Sequence, residues 1–421
     1  MNREKTKSFQ IFLRRTISFS QTAVLCVLFS LLMIAQLQAQ NAWNQFRGPS
    51  KNGVLPDVDF PDKWPDNGPE LKWSLDVGNG FPEVAVARGV AYVFSSDSLD
   101  GGYEYVAACN AETGKELWKT KVDSMWYEVD GWGHGPRATP AVDEQKLYCV
   151  SGFGKFKALN LKNGEILWSV NLPETFGSEI PRWGFTSSPL LAGDRVILET
   201  GGTEERAFTA FDKQTGNVVW SKGTGKTTYN SPALAVIEGN ENIVFANDSM
   251  LTAYNVQGEK LWDFRMPLRM PTAMPVFIEP NKFFVSSVSK TGGFFVEVIG
   301  NEPREILQST TMQNNWSSSC YRDGYLYGFS KAKLQCVSIE TGEMQWGKRG
   351  FGKGSLIMVG DKLLVLSDQG QLIVVKASPD QYTEIGSFKA LEGKSWTAPV
   401  YANGHIFVRN LSRLACYNIS K

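Results

Sequence analysis

The chain has 421 residues with 43 Lys and Arg against 43 Asp and Glu, a formal net charge of zero, and 42% of its residues are hydrophobic. That balance argues against a nucleic-acid or anionic-lipid surface, either of which calls for an excess of positive charge. Only His134 and His405 are present, which excludes a multi-histidine metal site and leaves little for a histidine-based catalytic triad.

Residues 1–40 stand apart from the rest of the chain. Arg3, Lys5, Lys7, Arg14 and Arg15 make a basic start, residues 23–35 are apolar, and Leu37-Gln38-Ala39 offers a small-residue cleavage site. This pattern predicts a cleavable export signal and a periplasmic or secreted mature protein with no remaining transmembrane span. An uncleaved anchor is the alternative, although the run falls short of the ~20 residues a spanning helix needs. Cys26 lies inside the apolar run, not at its end after small residues, which argues against lipid attachment. Removal of the signal leaves 38 basic and 42 acidic residues, a net charge of −4. The mature chain keeps Cys109, Cys149, Cys320, Cys336 and Cys416, an odd number with no C-x-x-C spacing; they read as small residues buried in strands.

Residues 41–69 begin with Trp43-Asn44-Gln45-Phe46-Arg47-Gly48-Pro49 and continue rich in Pro, Asp and Gly. The composition predicts an irregular arm laid over the body. Glu70 to Val77 reads as a Trp-bearing strand with no turn in front of it.

From residue 70 onward the chain repeats itself. Glu112-Thr113-Gly114-Lys115-Glu116-Leu117-Trp118 returns as Lys162 to Trp168, Gln214 to Trp220 and Glu340 to Trp346, and in short form as Gln257 to Trp262. Each copy is a hairpin: Thr-Gly or Asn-Gly supplies the positive-φ position and an alternating strand runs to the Trp. Trp118, Trp168, Trp220 and Trp262 are spaced by 50, 52 and 42 residues, and Trp346 comes 84 later. One unit in that last gap has therefore lost its signature, within 271–312. Two strand-like runs precede each signature, such as Lys146 to Val150 and Lys155 to Leu159. Four short strands per ~40–50 residues is the mark of a propeller blade.

The units run approximately over 81–130, 135–178, 184–226, 230–268, 271–312, 315–350, 354–391, and 395–420 completed by 71–78. The expected fold is an all-β, eight-bladed β-propeller of four-stranded antiparallel blades in one domain spanning 70–421. The N-terminal strand closes the ring beside Leu414 to Asn418, which removes the exposed sheet edge. The signature tryptophans, Trp73 among them, are expected to pack between blades, and Trp→Ala at one should cost about 3 to 5 kcal/mol.

The T-G-x-x-x-W signature and the blade openings Thr139-Pro140, Ser188-Pro189, Ser231-Pro232 and Ala398-Pro399 resemble the PQQ-like repeat family of propellers. That resemblance implies the eight-bladed ring. It leaves function open between quinoprotein dehydrogenases, which hold PQQ and calcium over the ring centre, and non-enzymatic relatives such as the outer-membrane assembly factor BamB. The Phe46-Arg47-Gly48-Pro49 arm is similar to one that precedes such repeats in many exported bacterial proteins. The dehydrogenases carry adjacent cysteines beside the cofactor, and this chain has none adjacent. The acids in its blade-opening loops, Asp130, Glu174 and Glu179, match no such pattern, while Glu112, Glu165, Glu259 and Glu340 belong to the opposite face.

The blade-opening loops are rich in aromatic residues. Trp126, Tyr127, Trp132, His134 and Arg137 precede or flank Thr139-Pro140; Arg182, Trp183 and Phe185 precede Ser188-Pro189; Tyr229 and Asn230 precede Pro232; Asn315, Trp316 and Trp396 open later blades. In a propeller these loops converge on one mouth of the channel. The candidate ligand-binding residues are thus Trp132, His134, Arg137, Arg182, Trp183, Tyr229, Asn230, Asn315, Trp316 and Trp396, with no catalytic residue or metal ligand among them. Equally, these large residues could plug the channel. The expected function is an exported non-catalytic scaffold, monomeric, binding a protein or glycan partner in the cell envelope. The alternatives are a PQQ- and calcium-dependent oxidoreductase or a BamB-like assembly factor; no cofactor is expected outside the first of these.

Overall fold

The turn signature folds as its residue types dictate. Asn110 Oδ1 accepts from the backbone N–H of Glu112 and of Thr113, both at 3.0 Å, and Gly114 takes φ 71°. Asp212 makes the same turn with Gln214 and Thr215, and Gly216 takes φ 74°. A short polar side chain bonded to the backbone two and three residues on fixes the bend, and glycine carries the left-handed position.

The computed structural model describes residues 42–64, 68–97, 102–247, 249–268 and 272–419. The predicted export signal lies outside the described residues. Among these, the chain forms eight sheets, seven of four strands and one of five. The first blade comprises Ala85–Ala87, Val90–Asp97, Tyr103–Asn110 and Glu116–Ser124, and later blades repeat that order from the channel outward. The fifth, without a turn signature, is Val276–Ile278, Lys282–Ser286, Gly293–Ile299 and Glu302–Ser309. In the eighth, Val400–Ala402, His405–Arg409 and Arg413–Asn418 are completed by Glu70–Asp76, with Trp73 paired to Cys416. The ring closes as the sequence predicts. Among the described residues one short helix, Leu172–Phe176, ends at Gly177 in the left-handed region and has no counterpart in the repeat pattern. No helix among the described residues is long and apolar enough to cross a membrane.

The signature tryptophans stitch neighbouring blades. The indole N–H of Trp73 donates to Ala111 O at 2.9 Å, Trp118 to Leu161 O at 2.9 Å, Trp168 to Lys213 O at 3.2 Å, Trp220 to Val256 O at 2.9 Å and Trp346 to Ser378 O at 2.8 Å. The ring also covers the turn glycine of the next blade: a Cβ on Gly164 would stand 2.5 Å from Trp118, and one on Gly216 would stand 2.7 Å from Trp168. Trp262 faces a blade without that turn and donates instead to Asn242 Oδ1 of its own blade, at 2.9 Å. Each Trp lies opposite a small residue of the adjacent strand, such as Ala108, Ala158, Ala210, Ala253, Cys336 or Cys416. This is why Cys336 and Cys416 are buried and free.

Two blades lack this tryptophan. In the fifth, Leu307 holds the place, opposite Phe295, and a cavity of about 520 Å³ opens toward Ile339 and Glu340 of the next blade. In the seventh, Gly386 holds it, and an indole arrives from elsewhere. A Cβ on Gly386 would meet Trp64 Cβ at 2.8 Å, and Trp64 packs against Phe388 and Phe60 with centroids at 5.7 and 5.9 Å.

Trp64 belongs to the N-terminal segment, whose first part crosses the channel along the inner strands before its end reaches the outer strand of the seventh blade. Trp43 pairs with Val86 of the first blade, Asn44 O accepts from Val142 N–H of the second at 2.8 Å, and the Lys51 ammonium donates to Pro189 O of the third at 3.2 Å. The Arg47 guanidinium donates to Ser318 O and Ser319 O of the sixth, at 3.2 and 2.8 Å. Val54–Leu55 then pairs in parallel with the innermost strand of the seventh blade, Ser355–Val359, as its fifth strand. Eight inner strands leave a channel lined by unpaired backbone groups, and these contacts satisfy part of that lining.

Candidate binding mouth

The blade-opening residues carry a second set of stitches. Glu83, Thr139, Ser188, Ser231, Met274 and Ser318 all stand two residues before an inner strand. The N–H of Glu83 donates to Thr139 Oγ1, that of Thr139 to Ser188 Oγ, that of Ser188 to Ser231 Oγ and that of Met274 to Ser318 Oγ, all at 2.9 Å. Where Met274 brings no hydroxyl, Asn230 takes over: its Oδ1 accepts from Ser231 N–H and its Nδ2 donates to Ala273 O, both at 3.0 Å. The Ser-Pro and Thr-Pro openings thus tie blade to blade around the channel. In the first blade the hydroxyl is replaced by Glu83, whose Oε2 accepts from Trp43 Nε1 and from Arg47 N–H, both at 2.8 Å. Burial lifts the Glu83 carboxyl to about 7 despite those donors, and it pushes the Lys51 ammonium down.

Above this ring opens a cavity of about 390 Å³. Its walls include Trp132, Trp183, Tyr229, Trp316 and Trp396, together with Arg137, Asn315, Phe81 and Lys353, and Phe46 and Arg47 of the arm join its lining. Trp396 is the hub: its ring centroid lies 4.9 Å from Trp316, 5.6 Å from Trp132 and 6.1 Å from Phe81, the last pair stacked. On another wall Trp183 packs on Tyr229 at 4.8 Å.

Each wall is held by its own local chemistry. Glu128, buried, accepts from the N–H of Asp130 at 2.7 Å and of Trp132 at 2.6 Å, while its own N–H donates to His134 Nδ1 at 3.0 Å. His134 therefore shapes the Trp132 loop, packs on Tyr127, and does not line the cavity. Arg182 grips Asp130 through two bonds of 2.9 and 2.6 Å, and Trp183 Nε1 donates to the same carboxylate at 2.8 Å. That pairing holds the Asp130 carboxyl at about 2 and spends Arg182 on orienting Trp183. Arg137 lines the cavity, its guanidinium bonded to Gly135 O and Gly133 O at 2.9 and 3.0 Å and lying 5.1 Å from the Phe81 centroid. Of the ten residues expected from sequence, His134, Arg182 and Asn230 support the mouth without lining it, and the other seven line it.

Sequence reasoning missed Phe46, Arg47, Phe81, Glu83 and Lys353. The arm's distinctive Phe46-Arg47-Gly48-Pro49 was the available signal for the first two. Lys353 precedes an inner strand between two glycines in a blade opening without a Ser-Pro or Thr-Pro pair, so nothing marked it.

Glu83 is the only carboxylate among the described lining residues, and it already holds two donors. Among the described residues no group of three His, Cys, Asp or Glu could hold a metal ion. The five described cysteines are buried, and none lines the mouth. The donor set does not fit a calcium-bound quinone.

The repeat, the ring and its closure define a PQQ-like propeller. The family model described as outer membrane protein assembly factor BamB matches residues 102–348, and the chain belongs to that family. Among curated proteins, the chain is 31% identical over 172 residues to the dehydrogenase subunit of a quinone alcohol dehydrogenase of Komagataeibacter europaeus, covering 39% of this chain and 22% of that protein. It is 22% identical over 304 residues to the outer membrane protein assembly factor BamB of Shewanella oneidensis, covering 66% and 73%. The first three curated relatives are matched over 22%, 27% and 32% of their own length. Among solved structures, BamB of Moraxella catarrhalis aligns with a TM-score of 0.61 at 16% identity over 83% of this chain and 97% of that one. The quinohemoprotein alcohol dehydrogenase ADHIIG of Pseudomonas putida aligns with 0.68 at 14% over 92% and 81%. At such identities these structures speak for the fold alone.

Proposed function

We propose that this protein is an exported, non-catalytic propeller scaffold whose mouth binds a glycan of the cell envelope. The observation that carries this reading is the convergence of Trp132, Trp316, Trp396 and Phe81 on one side of a polar-floored cavity, facing Trp183 and Tyr229 on another. Flat aromatic faces with a few convergent polar groups suit a pyranose ring, whose C–H face is apolar and whose edge bears hydroxyls. The cavity volume of about 390 Å³ suits one or two sugar rings. No reaction step is assigned to a quinone or a metal, because the described lining residues offer no set of ligands for a calcium ion.

Affinity electrophoresis through gels containing envelope and extracellular polysaccharides tests the reading. Retardation of the wild-type chain, lost in Trp396→Ala, is the expected result. A protein partner is the second reading, favoured by membership of the assembly-factor family. Absence of retardation in every gel, with recovery of an envelope protein that depends on Trp396, would replace the glycan by that partner.

A further inference from the structure

We propose that the mouth selects an anionic saccharide, a sugar ring carrying a carboxylate, with the ring on the indoles of Trp316 and Trp396 and the acid group on the Lys353 ammonium. This rests on reading the mouth as a sugar site and adds a charge to its ligand.

Lys353 is the reason. Its Nζ lies 5.0 Å from the ring centroid of Trp132, 5.1 Å from that of Trp316 and 5.7 Å from that of Trp396. All three are within reach of a cation–π attraction. Ring faces orient an ammonium without neutralising it. The residue is exposed, and among the described residues Nζ has neither a hydrogen-bond acceptor nor a carboxylate partner. Three donors are thus held in place and left for a ligand.

The surroundings reinforce the sign. Arg137 and Arg47 line the same cavity, and the bonds of both guanidinium groups to oxygen go to backbone carbonyls. Carbonyls satisfy donors and leave the positive charge in place. The negative groups nearby are offset or withdrawn: Asp130 is paired with Arg182 at the rim, Glu128 and Glu104 face Arg137, and Glu83 lies beneath the cavity, where burial favours its neutral form. At the rim Lys394 adds a further cation, its Nζ 4.7 Å from the Trp396 centroid. A cationic ligand would have to displace Lys353 from the ring faces and meet this field, whereas a carboxylate is drawn in by it.

A second observation points to hydroxyls. Ser355 Oγ and Thr186 Oγ1 belong to cavity-lining residues, are themselves buried, and have no hydrogen-bond partner among the described residues. Ser355 as a whole is only 3% exposed. Buried polar groups are almost always paired. These two hydroxyls, in lining residues of different blades, are polar groups beside the cavity that the described fold leaves unpaired.

The test titrates the chain with oligogalacturonate, oligoglucuronate and alginate oligomers, and with their carboxyl-methylated forms, following indole fluorescence and heat. Methylation removes the charge and keeps the ring. The expected result is at least one free oligouronate bound ~10-fold or more tighter than its ester, with Lys353→Gln reducing the acid to the affinity of the ester at an unchanged melting temperature. Esters binding as well as acids would overturn the charge selection while leaving the sugar-binding reading intact. Acid binding untouched in Lys353→Gln would overturn the placement on Lys353. Absence of binding by every oligomer, charged or neutral, would sink both. Trp396→Phe, which keeps a ring of smaller size, serves if Trp396→Ala does not fold.

Discussion

Trp43 donates its indole N–H to Glu83 Oε2 at 2.8 Å, and through this bond the N-terminal segment is locked to the first blade at the centre of the ring. Both residues are almost without exposure, at 0% and 3%. Beside them Gly48, at φ 77°, lies so close that an added Cβ would stand 3.0 Å from the Trp43 ring. Arg47 and Lys51 also adopt positive φ, 61° and 53°. Non-glycine residues tolerate that region only where surrounding contacts hold them, and here their side chains bond across the channel.

Glu83→Ala should therefore destabilise the protein, because the buried N–H groups of Trp43 and Arg47 lose their shared acceptor. A loss of about 1–3 kcal/mol per buried donor is expected in urea unfolding. Glu83→Gln keeps an acceptor oxygen and should cost clearly less. Equal effects of the two would mean that the carboxylate does not organise the arm.

The seam between the fifth and sixth blades, where Leu307 stands in place of an indole, should accept one. Leu307→Trp brings ring area into the cavity facing Ile339 and, on the pattern of Trp346 and Ser378, a donor for the Ile339 carbonyl. Stabilisation on the order of 1 kcal/mol is expected, read as a higher denaturation midpoint. In contrast, Trp118→Ala or Trp346→Ala should cost about 3–5 kcal/mol. A destabilised Leu307→Trp variant would show that the fifth blade has repacked around its missing signature.

Glu104 supplies a pH dependence. It is fully buried, accepts from the N–H of Gly152 at 3.1 Å and of Trp126 at 3.3 Å, and burial pushes its carboxyl up to about 8. The folded state thus holds a proton that the unfolded chain releases near the ordinary carboxylate value, so the folded state binds more protons between about 4.5 and 8. Its contribution to stability is full below that window and is lost as pH rises through it. Glu104→Gln should flatten the fall in melting temperature between pH 5 and about 8. An unchanged slope would assign the dependence to another group.

Much of this was legible because a repeat is read many times over. Each Asn-x-x-x-Gly or Asp-x-x-x-Gly turn and each Trp repeats one physical solution, so the ring and its count of blades followed from spacing, and closure by the strand bearing Trp73 followed from a last unit short of one strand. The route of residues 42–64 was not legible, since a segment with no period carries no record of what it touches. Its contacts are long-range ones, such as Arg47 to Ser319, and Trp64 in the space left by Gly386. The mouth divided in the same way. Aromatic residues beside blade openings were visible as a class, whereas whether a side chain lines the cavity or supports it depends on single hydrogen bonds. Asn230 replaces a missing hydroxyl and His134 clasps a loop, and neither role leaves a pattern in sequence.

The rim gives a sharper separation of binding from folding. Asp130→Asn removes the charged clamp on the exposed Arg182 and the half-buried Trp183, both on a loop. The melting temperature should stay unchanged, while saccharide affinity should weaken as the Trp183 wall loosens. Loss of folding in this variant would move Asp130 from the site to the scaffold.

The most direct measurement of the central claim uses the indole N–H signals of the 13 tryptophans in a ¹H–¹⁵N spectrum recorded during titration with an oligouronate. The mouth as a ligand site predicts that Trp132, Trp183, Trp316 and Trp396 shift together and saturate with one constant, while the seam residues Trp73, Trp118, Trp168, Trp220 and Trp346 stay still. Shifts confined to the seam residues, or mouth indoles that remain unmoved at saturating ligand, would contradict it.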